Sequence, residues 1–444
     1  MKEFIEKNLE NMKKDLKDLV AINSVYADDV APFGSANRQV LDLALAKFAQ
    51  AGMQTSNLDY YCGYGEIGEG EKVIGIVAHL DVVPAGDGWD GDPFVMEEKD
   101  GYLYGRGVSD DKGAVIASLY ALKYLMANNY PFKKRVRLIV GCNEESGSKC
   151  IEHYVKKEGH VDLGFTPDGN FPGIYAEKGI YGARMVGKTT KIKAISGGLA
   201  SNVVCKKVNA TIPANTYDQE KFKAFMAEHQ IAFDLNGDEI TVYGTAAHAS
   251  TPDLGVNAIS HLLEALYVAG INDPFVDAYH EFIGLTVHGE KLHLDSLKDE
   301  ISDASCNIGM ISCADGVITA TVDVRFPVKS KADQVIALVE KAKKEDFAII
   351  TEEYENPLYF SLDSSMIKAL DKAYRTVTKD NVSQMEAIGG GTYAKAINNI
   401  IAFGCEFQGE DNHIHDANEK LAIESFKKQI EIYVEAIKNL NEVA

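Results

Sequence analysis

Residues 71–81 read EKVIGIVAHLD. The apolar run is stopped by polar residues at both ends, which is the mark of a strand buried on both faces. RVRLIVGCNEE (135–145) and DLGFTPDG (162–169) repeat the pattern. Between the first two lies DDKGAVIASLYALKYLMANN (110–129), which reads as a helix. Asp110 and Asp111 stand at its start, where acids and caps are favoured. Strand, helix and strand in this rhythm imply an α/β sheet that is largely parallel.

Working outward, helix signals cover residues 2–22 and 37–51, and GYLYGRG (101–107) reads as a short strand ending in glycines. The texture changes near Lys178. From about residue 183 to 357 strands such as ITVYGTAAH and GVITATVDVRFPV alternate with helices such as NAISHLLEALYVAG and ADQVIALVEKAKKE. Strand pairs with helices on one side suggest an α+β insert. After Pro357 the α/β style returns: SSMIKALDKAYRTVTK reads as a helix, GTYAKAI as the opening of another, IIAFGC as a strand, and the last stretch as a helix. A chain of 444 residues exceeds the roughly 250–300 that one core serves. The expected organisation is therefore a discontinuous domain of residues 1–182 and 358–444, interrupted by a lid of residues 183–357.

The bulk numbers exclude several classes. A formal charge of -21 argues against nucleic-acid binding, which needs a basic face. No run of about 18 apolar residues exists, so no membrane span is expected. The first residues, MKEFIEKNLENMKKDLKDLVAIN, are an amphipathic helix without the continuous apolar stretch of a signal peptide. Seven cysteines without paired spacing fit reduced thiols. The expectation is a cytoplasmic protein.

In an open α/β sheet, ligands bind beyond the carboxyl ends of the strands. Three predicted strands end in ligand-type residues: HLD at 79–81, NEE at 143–145 and TPDG at 166–169. Asp110, Asp111 and the loop EDNHIHDANE (410–419) add more. One such residue alone reads as a capped turn or a solvated loop. A whole set at one sheet edge reads as a site for two divalent cations, which could make hydroxide near neutral pH and stabilise an oxyanion. Within HLD, residues two apart share a face, so Asp81 is expected to bond the far nitrogen of His79 and fix its tautomer. Of the neighbours Glu144 and Glu145, one can bind a cation while the other takes the proton from the attacking water.

HLDVVP, GRGVSDDKG, NEESGS, PDG and HDANE, in this order, resemble the di-zinc exopeptidase family of carboxypeptidase G, aminoacylase and carnosinase. GDGWDGDPF, IGGGTYAKAI and the size of the insert most resemble bacterial dipeptidases of the PepV type. The resemblance implies a phosphorylase/hydrolase-like catalytic domain. It assigns one cation to His79, Asp110 and Asp168, and the other to Asp110, Glu145 and His415. His413 is the fallback for His415. Glu144 becomes the general base and then the acid for the leaving amine, and the Asp110–Asp111 peptide is expected to be cis. His248, in TAAHASTPD, would help polarise the scissile carbonyl. Asn202, Arg325 and the loop Gly389, Gly390, Gly391, Thr392 would face the substrate. An arginine fork suits a peptide's terminal carboxylate, and a helix start at the glycine loop could cradle an anion. The bland readings are an ion pair for Arg325 and a packing turn for the glycines.

The expected reaction is hydrolysis of short peptides, dipeptides above all, including β-alanyl or D-containing ones. The alternative is an N-acyl-amino-acid deacylase, of aminoacylase or desuccinylase type, with the same site. Zinc suits the donors, and manganese or cobalt could take the same place. A long insert implies that His248 comes from the same chain, which favours a monomer over a homodimer. Two motifs point elsewhere. GARMVGKT (182–189) fits a P-loop, and GYGEIG (63–68) fits GxGxxG. Each is followed by strand-like sequence where a nucleotide site needs a helix, so both are read as chance. A nucleotide-binding protein using Lys188 is the rival from another class.

Overall fold

In the computed structural model, which describes residues 1–444, the run quoted first forms the strand Val73–His79, buried along its length. It pairs in parallel with Arg135–Gly141 on one side and Leu163–Thr166 on the other. Ile400–Ala402 extends the parallel set beyond Leu163–Thr166. The opposite edge is antiparallel: Cys62–Ile67 lies against Arg135–Gly141, and Gln54–Leu58 lies against Cys62–Ile67. GYGEIG is thus strand, and its nucleotide reading falls. The helix Lys112–Ala127 is buried over nearly all its length, because it packs against the strands, Lys2–Val20 and the last helix, Ile423–Glu442. Its apolar sequence all round answers to that position. These elements belong to one unit, made of Met1–Tyr175, Phe360–Glu386 and Gly391–Ala444.

Two details of this unit differ from the sequence reading. Tyr102–Tyr104 does not join the main sheet. It is the middle strand of a small antiparallel sheet with Glu97–Lys99 and Lys420–Ala422. That pairing ties the Gly105–Asp110 segment to the chain just after His415. GTYAKAI forms only the 3-10 turn Tyr393–Lys395. The strand Ile400–Ala402 follows too closely for an α-helix to develop, and Asn399 turns the chain at a φ of 67°.

The second unit comprises Ala176–Tyr359 with Ala387–Gly390. Nine of its strands form one antiparallel sheet. The central ones are Ser305–Ala314, Val317–Phe326 and Gly179–Lys188. Helices Gln219–Glu228, Ala258–Val268, Pro274–Phe282 and Ala332–Val339 supply Phe222, Leu262, Phe275 and Val335 to its core. The P-loop match lies on Gly179–Lys188 and its following turn. Lys188 Nζ is 2.6 Å from Asp346, and the Thr189 hydroxyl donates to Asp273, which also caps Pro274–Phe282. These residues hold a bend after the strand and open no helix. No helix in the chain is long and apolar enough to cross a membrane.

Candidate metal centre

Three strands of the parallel set deliver their chemistry where they end. His79 closes Val73–His79, Glu144 and Glu145 follow Arg135–Gly141, and Asp168 follows Leu163–Thr166. Asp110 precedes the helix Lys112–Ala127, and His415 stands in the loop before Lys420–Ala422. All belong to the first unit.

Asp110 lies at the centre. Its Oδ1 is 2.9 Å from His79 Nε2, and its Oδ2 is 2.9 Å from His415 Nε2. His415 Nε2 is also 3.2 Å from Glu145 Oε2, and Asp168 Oδ2 is 3.9 Å from His79 Nε2. Ligand atoms of His79, Glu144 and Asp168 lie within 4.8 Å of one another, as do those of His79, Asp110 and Glu145. His413 turns away: its Nδ1 is 3.2 Å from the Ala417 carbonyl and its Nε2 is 3.3 Å from Asp411. The Asp110–Asp111 peptide is cis.

The donor set fits divalent cations on its own chemistry. His79 Nδ1 stands 3.0 Å from the Asp81 carbonyl oxygen, which only accepts, so Nδ1 carries the hydrogen. In the neutral ring Nε2 then offers a lone pair toward Asp110 Oδ1, another acceptor. Something positive must lie between them, a proton or a cation. Without cations, protons fill that role. Burial opposes the charge on His79, but the bond to Asp110 prevails and holds its pKa well above the ordinary value. Bonds to Asp110 and Glu145 raise His415 to about 10. Burial, then the Asp110 charge, raises Asp168 to about 7. Burial, then the Asp168 charge, raises Glu144 well above the carboxylate range.

The buttressing of the cluster differs from expectation at Asp81. Its carboxylate is 3.7 Å from His79 Nδ1, and its backbone carbonyl takes the ring hydrogen instead. The carboxylate accepts the backbone N–H groups of Glu144 and Glu145 at 3.0 and 3.1 Å. Asp81 therefore holds His79 with its main chain and orders the Glu144–Glu145 turn with its side chain. Asp111 accepts the His79 backbone N–H at 3.1 Å. Two further residues border the cluster. Tyr393 packs behind His79, and Glu419 accepts the backbone N–H groups of Gly107, Ser109 and Asp110. A glutamate four residues after a ligand histidine was the signal the sequence offered for Glu419.

His248 and Arg325 lie in the second unit, as do Asn202, Gly389 and Gly390, while Gly391 and Thr392 fall in the first. His248 Nδ1 is 2.7 Å from the Ser250 hydroxyl, and the Asn202 carbonyl accepts the Ala249 N–H at 2.9 Å, so the two loops run together. Partial burial, then the Arg325 charge, lowers the His248 pKa. The Arg325 fork is already engaged. Nε and Nη2 donate to the two Asp323 oxygens at 2.7 and 2.9 Å, and Nη1 donates to the Gly389 carbonyl at 3.1 Å. The ion-pair reading of Arg325 thus accounts for its bidentate edge. The Thr392 hydroxyl accepts the Ala394 N–H. With only a 3-10 turn of three residues behind it, the glycine loop has no helix N-terminus to offer an anion, and that expectation falls.

The sequence profile of peptidase family M20/M25/M40 matches residues 75–439. The Bacillus subtilis (strain 168) protein named "Putative dipeptidase YtjP" is 33% identical over 454 residues, covering 97% of each chain. Among solved structures, human carnosine dipeptidase 1 aligns at a TM-score of 0.58 and 17% identity, covering 99% of this chain and 98% of that one. The dipeptidase Dug1p from Saccharomyces cerevisiae aligns at a TM-score of 0.59 and 17% identity, with the same coverage. At such identities the two structures speak for the fold alone.

Proposed function

The chain belongs to peptidase family M20/M25/M40 and is a metallopeptidase of that type, and from that premise we propose that it is a dipeptidase working with two divalent cations. The observation that carries the reading is Asp110, whose two oxygens each meet a histidine at 2.9 Å. A carboxylate with a ring nitrogen at each oxygen is the donor set for a bridged pair. His79 and Asp168 would complete one side, and Glu145 and His415 the other. Zinc suits these donors, and manganese or cobalt would use the same atoms. Such a pair would supply Lewis acidity toward the scissile carbonyl and acidify water near it.

The chain's own residues do the rest. Glu144 takes a proton from the attacking water and returns it to the leaving amine, work suited to a carboxylate whose pKa burial has raised. Asp81 holds the Glu144 backbone, which aims that side chain. His248 is assigned to the developing oxyanion, and Asn202 and Arg325 to the substrate's far end. The dipeptidase name of the 33% identical relative supports dipeptides over N-acyl amino acids.

The test is a panel of α-, β-alanyl and D-containing dipeptides beside N-acyl amino acids, assayed before and after chelation. Dipeptide hydrolysis that chelation abolishes and zinc or manganese restores is the expected result. Preference for N-acyl amino acids would turn the reading to the deacylase. Activity indifferent to exhaustive chelation would end it.

A further inference from the structure

Glu419 is fully buried, as is Arg106 beside it. Its Oε2 accepts Arg106 Nη1 and the Gly107 N–H, both at 2.9 Å. Its Oε1 accepts the Ser109 N–H at 2.9 Å and the Asp110 N–H at 3.1 Å. The Glu419 carbonyl also accepts the Gly105 N–H at 3.0 Å. One residue therefore threads the whole Gly105–Asp110 segment that delivers the central aspartate. The same residue lies four positions beyond His415, in the loop carrying the second histidine. Arg106 is braced from outside, with its guanidinium 5.2 Å from the Trp89 ring.

An ion pair with Arg106 would need one carboxylate edge. Three backbone donors on the same carboxylate, the last of them Asp110 itself, are more than a pair requires. We propose that Glu419 is a positioning residue of the cation site, setting Asp110 in register with His415. The inference rests on the two-cation reading.

The experiment is competition titration of zinc and manganese against a chromophoric chelator, using the full chain. Glu419→Asp keeps the charge that Arg106 needs and withdraws the oxygens from the Ser109 and Asp110 N–H groups. It is expected to fold by circular dichroism and to lose about 10–100-fold in cation affinity, the range for removing an outer partner of a ligand. Arg106→Lys is the control. It removes the fork and the stacking, and its cation affinity is expected to stay within about threefold of the parent, well short of that range. Should Glu419→Asp not fold, Glu419→Gln goes through the same titration with the same expected loss. Parent-like affinity in the folded Glu419 variant overturns the proposal, as does an equal loss in Arg106→Lys. A parent chain that binds no cation would sink the two-cation reading and this inference together. A parent binding two, with unaffected Glu419 variants, would sink this inference alone.

Discussion

Tyr393 sets its ring against the imidazole of His79, with centroids 6.1 Å apart and planes at 83°. The phenol is fully buried, and its oxygen lies 3.0 Å from Cys150 Sγ. His79 is thus held from behind by an aromatic wall and from the side by the Asp81 carbonyl. The wall exists because residue 141 has no side chain: a Cβ there would lie 2.3 Å from the Tyr393 oxygen and 2.9 Å from Cys150 Sγ.

Gly141→Ala is therefore expected to destabilise the chain by about 1–3 kcal/mol, the range for overpacking, and to lower activity by shifting His79. Adding Tyr393→Phe removes the closest clash and should recover part of the melting temperature. A double variant no more stable than Gly141→Ala alone would refute the contact as the cause.

Glu144→Gln should keep cation binding while turnover falls about 10²–10⁴-fold, the usual contribution of a positioned base. The loss should appear in kcat, with KM little changed. Cation content is measured on the same sample. Near-parent kcat with full occupancy would remove Glu144 from proton transfer.

The sheet was legible because buried parallel strands are written as continuous apolar runs, as in VIGIVA at 73–78. The cluster was legible because ligand-type residues ended those runs. What escaped depended on backbone paths between elements. The Asp81 carboxylate meets Glu144 and Glu145 only through the shape of a loop. The strands Glu97–Lys99 and Lys420–Ala422, which flank Tyr102–Tyr104, are too short for alternation to show. Tyr393 looked like the first turn of a helix and became a wall. The Asp323–Arg325 pair was in plain view, two apart on a strand and so on one face.

Cation binding should expel protons. In the cation-free cluster His415 titrates at about 10 and Asp168 at about 7. At pH 7.5 His415 carries its proton and Asp168 carries part of one, and both must give them up to act as donors. Affinity should therefore rise with pH between 6 and 8. Calorimetry in two buffers of different ionisation enthalpy would measure the release, and equal apparent heats in both would contradict it.

Arg325 is buried on the strand Val317–Phe326, and its partner Asp323 is buried with it. Arg325→Ala alone leaves the Asp323 carboxylate buried and unpaired, which typically costs about 3–5 kcal/mol. A raised KM in that variant would be ambiguous between damage and lost substrate contact. Replacing both residues removes the orphaned charge, so Asp323→Ala with Arg325→Ala should regain most of the lost melting temperature. If Nη1, now on the Gly389 carbonyl, also serves the substrate's carboxylate, KM stays high in the double variant. The rise should then shrink on dipeptides with an amidated C-terminus, which carry no such charge. Recovery of both stability and KM in the double variant would leave Arg325 with only its ion pair.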